Sequence, residues 1–273
     1  MTIKKTLTVA GSDSSGGAGL QADLKTFEEY GTFGFSAITT IVTMDPDNNW
    51  AHGVTPIDAG LVREQLKTIL SGGPVDAMKT GMLGSVDIIR ATREAIDQYQ
   101  LKNVVIDPVM VCKGEDELIQ PENAEAIRDL LLPVATVTTP NLFEAGQLSG
   151  FGKLETVEDM KRAAEKINQL GVKYVVIKGG KALESNKAID LLYDGKDFTI
   201  YEVEKVDTDY NHGAGCTFAA AITAGLAKGM NVPEAVQKAK DFVTAAIQNG
   251  FALNKFIGPV WHGAYNQAEK RIK

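Results

Sequence analysis

Short runs of β-branched and apolar residues alternate along the chain with amphipathic stretches of helical period. TLTVA (6–10) predicts a strand and LQADLKTFEEY (20–30) a helix; FSAITTIVTM (35–44) predicts the next strand, followed by a loop holding Asp45, Pro46 and Asp47. A helix near 58–71, a strand at VDAMKT (75–80), a helix near 86–99 and a buried strand at NVVIDPV (103–109) continue the pattern. Helix 121–132, strand ATVTT (135–139), helix 157–170 and strand YVVIKGG (174–180) extend it. Such β-α repeats predict an α/β fold with a mostly parallel sheet covered by helices on both faces. KAIDLLYD (187–194) and FTIYEVE (198–204), separated by Gly195, Lys196 and Asp197, predict a small edge hairpin instead. The end of the chain is helix-rich. No repeat or Pro/Ser-rich linker divides the sequence, so residues 1–273 are expected to form a single domain.

Charge narrows the partners. A formal charge of −7 and a pI near 5.1 offer no long-range attraction to nucleic acid or an anionic membrane, and neither is expected as a partner. The apolar run in MTIKKTLTVAGS stops at Gly11, too short for a signal-peptide core, which points to the cytoplasm. Two cysteines, Cys112 and Cys216, suggest no disulfide framework or zinc cluster; each is a thiol or a small core side chain.

In open parallel sheets, ligands gather beyond the carboxyl ends of the strands. In TDYNHGAGCTFAAAITAGLA (208–227), Gly213 and Gly215 stand directly before an alanine-rich helical segment. Backbone N–H groups of Ala214 to Cys216 are then left for an anion, and the helix dipole favours a Cys216 thiolate. The same stretch also fits a tight turn before a buried helix. AGSDSSGGAGLQADL has glycines at 11, 16, 17 and 19, which breaks the dinucleotide spacing, and no P-loop Lys follows. Ser12, Asp13 and Asp23 can instead offer hydrogen bonds to a polar ring, or Ser12 can cap a turn. Asp107, where a strand meets a proline, and Glu144, near Asn141 at a helix start, are oxygen donors suited to Mg²⁺, or simple caps. Lys178 leaves a strand into Gly179 and Gly180, within reach of nucleotide phosphates or open to solvent.

Taken together and in order, AGSDSSGGAGLQADLKTF, KTGML (79–83), VVIDPVMV, TPNLFEAG (139–146) and HGAGCTFAAAI resemble the vitamin-kinase branch of the ribokinase-like superfamily. This branch contains hydroxymethylpyrimidine (phosphate) kinases and bacterial pyridoxal kinases. The resemblance implies an ATP-dependent kinase using Mg²⁺, often a homodimer. It assigns Gly213, Ala214, Gly215 and Cys216 to the anion hole and Asn141 and Glu144 to the Mg-nucleotide motif. Asp107 becomes a metal or phosphate-region carboxylate and Lys178 a nucleotide contact. Many superfamily members carry an aspartate base where this chain has Cys216. Phosphoryl transfer relies chiefly on positioning and charge neutralisation, which makes that departure tolerable.

Two positions bear on the acceptor. Pyrimidine kinases of the branch usually read A-Q-N after the second strand, whereas this chain reads T-M-D, and the Met44 thioether cannot pair with an aminopyrimidine. Together with MVCKGED (110–116), this looks like the pyridoxal-kinase group, which implies phosphorylation of the 5′-hydroxymethyl group of pyridoxal, pyridoxine or pyridoxamine in vitamin B6 salvage. Hydroxymethylpyrimidine (phosphate) kinase is the alternative. Cys112 is expected to add to the pyridoxal aldehyde as a hemithioacetal while Cys216 handles the hydroxyl proton. His52, with Trp50 on the loop after Met44, is expected to close over the ring, and Met82 and Val109 to line the acceptor pocket. A nicotinamide-dependent dehydrogenase and a non-catalytic binding protein share the fold class; the failed fingerprint argues against the first, and the set Asp107, Glu144 and Cys216 against the second.

Overall fold

The β-branched runs pair into one nine-stranded sheet in a computed structural model that describes residues 2–110, 121–180, 182, 183 and 185–271. Its strands are β1 (Lys5–Asp13), β2 (Phe33–Asp45), β3 (Ala51–Pro56), β4 (Ala77–Thr80), β5 (Val104–Ile106), β6 (Val137–Thr138), β7 (Tyr174–Gly180), β8 (Lys187–Tyr193) and β9 (Phe198–Glu204). They lie in the order β3-β2-β1-β4-β5-β6-β7-β8-β9. From β2 to β7 every neighbouring pair is parallel, while β3 at one edge and the β8–β9 hairpin at the other are antiparallel. The chain winds outward from β1 to β3 and then crosses to β4 on the other side of β1. That reversal opens a crevice at the carboxyl ends of β1 and β4.

The helices are α1 (Gly19–Glu29), α2 (Ala59–Ser71), α3 (Val86–Gln98), α4 (Pro121–Ala126), α5 (Leu142–Ser149), α6 (Val157–Asn168), α7 (Ala214–Ala227), α8 (Val232–Gln248) and α9 (Ala264–Arg271). Period-2 alternation divides the central strands between two cores. Leu7, Val9, Met78, Val104, Ile106, Val175 and Ile177 pack on the side of α2, α3, α5 and α6. Ala77, Val105, Val137 and Val176 face Phe27 of α1, Phe218 of α7 and Phe242 of α8. Each buried Leu, Ile or Phe contributes about 1.5–3 kcal/mol. Every residue of α7 from Thr217 to Ala227 is buried. Its alanines let that helix lie between α1, α8 and the sheet, so its first turn is rigidly placed.

Three local expectations change. The loop after β2 returns as β3, pairing Met44 with His52, through a turn that holds Asn49 and Trp50 at left-handed φ of 48° and 60°. The expected helix 121–132 is α-helical only to Ala126, then widens into a π turn (Ile127–Leu131) and tightens into a 3₁₀ turn (Leu132–Val134). Pro133 accounts for this, since it lacks an N–H and its ring collides with the carbonyl four residues back. The strand expected over 103–109 pairs only from Val104 to Ile106, because the chain leaves the sheet at Asp107 and Pro108.

Candidate active site

A cavity of about 1680 Å³ opens at the carboxyl ends of the strands. Its floor is the start of α7. Gly213 caps that helix at φ +83°, and a Cβ there would lie 1.9 Å from the Gly17 carbonyl oxygen, so only glycine fits. A Cβ on Gly17 would in turn lie 2.5 Å from the His212 ring. The two glycine-rich loops therefore touch backbone to backbone. Asp13 locks them together: its Oδ2 accepts from His212 Nε2 at 2.8 Å, Ser15 Oγ at 2.8 Å and Ala18 N at 2.9 Å. Burial alone would raise the Asp13 pKa, but His212 and Ser15 outweigh it and hold the group at about 2, fully charged. Of the N–H groups expected to be open, that of Ala214 is engaged, closing a turn onto the Asn211 carbonyl at 3.2 Å. Those of Gly215 and Cys216 lie in the first turn, where no intrahelical acceptor exists.

Cys216 is partly exposed to the cavity. The helix N-terminus was expected to favour its thiolate; instead burial pushes the thiol up to about 11, against the opposing pull of Lys79 and the Gly19 N–H. Asp23 and Asp107 add to the upward push. In the ligand-free protein the neutral thiol therefore dominates.

Across the cavity, Lys178 at the end of β7 donates to Asp107 Oδ1 at 2.8 Å, and Thr139 donates to the same oxygen at 2.9 Å. A Cβ on Gly215 would stand 3.5 Å from Lys178 Nζ, so the ammonium faces the cradle directly. Burial disfavours its charge, but Asp107 and Glu144 hold it protonated. Asn141 and Glu144 form a capping box at the start of α5, each side chain accepting the other's backbone N–H at 2.8 Å. Burial raises the Glu144 pKa well above the ordinary carboxylate range, Lys178 opposing and Asp107 reinforcing the rise.

Among the described residues no three His, Cys, Asp or Glu side chains gather as a metal cage. Two buried carboxylates flanking Lys178 nevertheless fit Mg²⁺, a hard cation commonly held by one or two carboxylates plus phosphate oxygens.

The remaining expected residues divide. Met44, His52, Met82 and Val109 line the cavity, His52 from β3 rather than from a loop. Asp13, Asn141, Glu144, Lys178, Asp107 and the stretch Gly213 to Cys216 line it as well. Ser12 and Asp23 do not. Ser12 Oγ accepts from Gln21 Nε2 at 2.8 Å. Asp23, placed by helical period on the buried face of α1, accepts Lys79 on both oxygens at 2.8 and 2.9 Å and Thr8 on Oδ2 at 2.6 Å. Neither oxygen is left for a ring, which corrects the substrate role given to it. Cys112 lies outside the described residues.

Two residues were missed. His212, expected only to shape the turn beside the cradle, joins both loops through Asp13. Lys79 was quoted in KTGML without one, although a lysine inside a buried four-residue strand implies a buried anionic partner.

The sequence matches the profile of the phosphomethylpyrimidine kinase family over residues 13–261. A pyridoxine kinase of Bacillus subtilis (strain 168) is 59% identical over 264 residues, covering 97% of each chain. The solved structure of the pyridoxal kinase from Staphylococcus aureus in complex with AMP-PCP and pyridoxal is similar with a TM-score of 0.92 at 55% identity, covering 98% of this chain and 96% of that one. A hydroxymethylpyrimidine/phosphomethylpyrimidine kinase of Bacillus subtilis (strain 168) is 40% identical over 267 residues, 98% of this chain and 97% of that one. Motifs, fold and near-complete coverage agree: the chain belongs to the phosphomethylpyrimidine kinase family, among the ribokinase-like vitamin kinases that its sequence resembles.

Proposed function

We propose that the chain transfers the γ-phosphoryl group of ATP to the 5′-hydroxymethyl group of pyridoxal, and also of pyridoxine and pyridoxamine. The observation that carries the reading is one cavity lined both by the apolar side chains of Met44, Met82 and Val109 and by the Gly213 to Cys216 cradle with Lys178. The methionines offer apolar contact for a flat heterocycle, and the cradle with Cys216 offers a place for its hydroxymethyl arm. The higher identity to a pyridoxine kinase, 59% against 40% for the pyrimidine kinase, supports the choice of acceptor.

The transfer forms a bond from the 5′-oxygen to the γ-phosphorus and breaks the γ-phosphorus bond to the β-bridging oxygen. The hydroxyl proton passes to the sulfur of Cys216 in its thiolate form, the minor form of a thiol pushed up to about 11. Negative charge on the moving group meets the N–H groups of Gly215 and Cys216 and the Lys178 ammonium, which are preorganised donors in a water-poor site. His52, opposite Met44 on the paired edge strand, limits solvent over the ring and so protects ATP from hydrolysis. Mg²⁺ would be held by Asp107 and Glu144 together with phosphate oxygens, and when bound it neutralises charge on the phosphates.

One sheet joins strands from residue 5 to residue 204, which supports a single kinase domain over 1–273. Among the described residues no helix is long and apolar enough to cross a membrane. A homodimer, as the family resemblance implies, located in the cytoplasm, completes the proposal.

Phosphorus NMR tests the reaction itself. Incubated with Mg-ATP and pyridoxal, the protein should yield a phosphate monoester and ADP in equal amounts. Free phosphate in place of the monoester would refute the assignment.

A further inference from the structure

His262 is a buried titratable group to which the transfer reaction gives no part. It stands between α8 and α9, is 5% exposed and does not line the cavity. The backbone leading to it is fixed on two sides. Trp261 N donates to the Ala246 carbonyl of α8 at 3.0 Å, while Val260 N donates to the His212 carbonyl at 3.1 Å and His212 N to the Gly258 carbonyl at 3.0 Å. The run Gly258 to Val260 thus lies along His212, the residue directly before the glycine that caps α7.

From that platform His262 Nε2 lies 2.9 Å from Thr217 Oγ1, one turn into α7. Thr217 Oγ1 and Thr217 N both donate to the Gly213 carbonyl oxygen, at 2.8 and 2.9 Å. The other end of the same peptide group is held too, because Ala214 N donates to the Asn211 carbonyl at 3.2 Å. Hydroxyl bonds to the carbonyl four residues back are routine in this molecule, and Thr26, Thr92 and Thr223 each make one. Thr217 differs in that its hydroxyl also meets a histidine.

Proton counting gives that contact a direction. Burial pushes the His262 pKa down to about 4, with Lys25 adding to the push, so the ring is neutral near neutral pH and carries one N–H. A hydroxyl has one proton to donate. With the Thr217 proton on the Gly213 carbonyl, the bond to His262 runs from a protonated Nε2 to the Thr217 oxygen, and Nδ1 is bare.

We propose that His262 is a positioning residue for phosphoryl transfer: through Thr217 it fixes the peptide between Gly213 and Ala214, and with it the Gly215 and Cys216 N–H groups that meet the moving phosphoryl group. This rests on the reading of the chain as a kinase with its cradle at Gly213 to Cys216. The ring itself holds no substrate and moves no proton. Its effect is on orientation, where a displacement of about 1 Å costs ~10²-fold.

Two variants separate the donor from the bulk of the ring. The amide nitrogen of His262→Gln can replace Nε2 as a donor, whereas His262→Leu fills the space without one. With Mg-ATP and pyridoxal, kcat should fall about tenfold in His262→Leu, less than full displacement of the cradle costs, and recover to within about threefold of wild type in His262→Gln. KM for pyridoxal should be the same in all three proteins, because His262 lies outside the cavity. Equal kcat in the two variants, whether high or low, would overturn the proposal. A role in stability alone would lower Tm in His262→Leu and leave kcat at the wild-type value, which overturns it equally. Should His262→Leu not fold, nitrogen NMR of the wild type decides. His262 should carry its proton on Nε2 near neutral pH; a proton on Nδ1 would make Nε2 the acceptor, turn the Thr217 hydroxyl away from Gly213 and overturn the proposal. The NMR needs no substrate and the kinetic result is a comparison between variants. Failure of the kinase reading therefore shows separately, as a wild type that phosphorylates no pyridoxal.

Discussion

Gly213→Ala should lose both stability and activity, whereas Gly215→Ala, two residues away, should lose activity alone. At Gly213 the backbone is left-handed, which costs an L-residue roughly 1–2 kcal/mol. The new methyl would also meet the Gly17 carbonyl oxygen at 1.9 Å, a backbone atom that cannot rotate away. One of the two glycine loops must then move, and a total loss of roughly 3 kcal/mol or more is expected. Displacing the cradle by even about 1 Å should lower kcat ~10²-fold. Gly215 differs on both counts. Its φ is not positive, and its Cβ would meet only the Lys178 ammonium at 3.5 Å, an ordinary contact. Alanine within a helix is even favoured over glycine by about 0.5–1 kcal/mol. That methyl would occupy the space between Lys178 and the first turn of α7, where the moving phosphoryl group belongs. Thermal melts alongside ATP kinetics check the contrast: an unchanged or raised Tm with kcat/KM for ATP down ~10²-fold is expected for Gly215→Ala. Full activity in that variant would mean that phosphate does not sit in the cradle.

Cys216→Ala should lower kcat ~10²-fold, the range for loss of a general base. The thiol at about 11 gives this effect a signature in pH. Below that value the thiolate fraction rises tenfold with each pH unit. The ratio of wild-type to variant kcat should therefore grow as pH rises from 7 to 9. Taking the ratio cancels ionisation of ATP and of the acceptor, which both proteins share. A ratio near one, or a large ratio that does not change with pH, would reduce Cys216 to a packing residue.

The cradle was legible because its determinants are local. Glycine spacing, the alanine run after it and the rule that α/β sites gather at strand ends all lie within one window of sequence. The period-2 runs likewise gave the parallel sheet and its edge hairpin. What escaped depends on contacts distant in sequence. β3 has few strand-forming residues and exists because the edge of β2 offers it hydrogen bonds. The thiol of Cys216 looked activated from its helix position, yet burial by surrounding elements dominates. The burial of Asp23 was legible as well. Its spacing from Leu20 and Phe27 puts it on the buried stripe of α1, a position that calls for a buried cation rather than a ligand. Lys79 carried the matching signal in the strand VDAMKT.

The acceptor is the centre of the account, and a competition in one vessel tests it most directly. Pyridoxal and hydroxymethylpyrimidine are supplied at equal concentration with limiting Mg-ATP, and the two phosphorylated products are measured. Their ratio gives the ratio of kcat/KM values without separate kinetics. With Met44 where an amide would be needed to pair with the pyrimidine, pyridoxal phosphate should exceed the pyrimidine phosphate by ~10²-fold, as expected when a buried hydrogen-bonding partner is missing. A majority of pyrimidine phosphate would contradict the assignment.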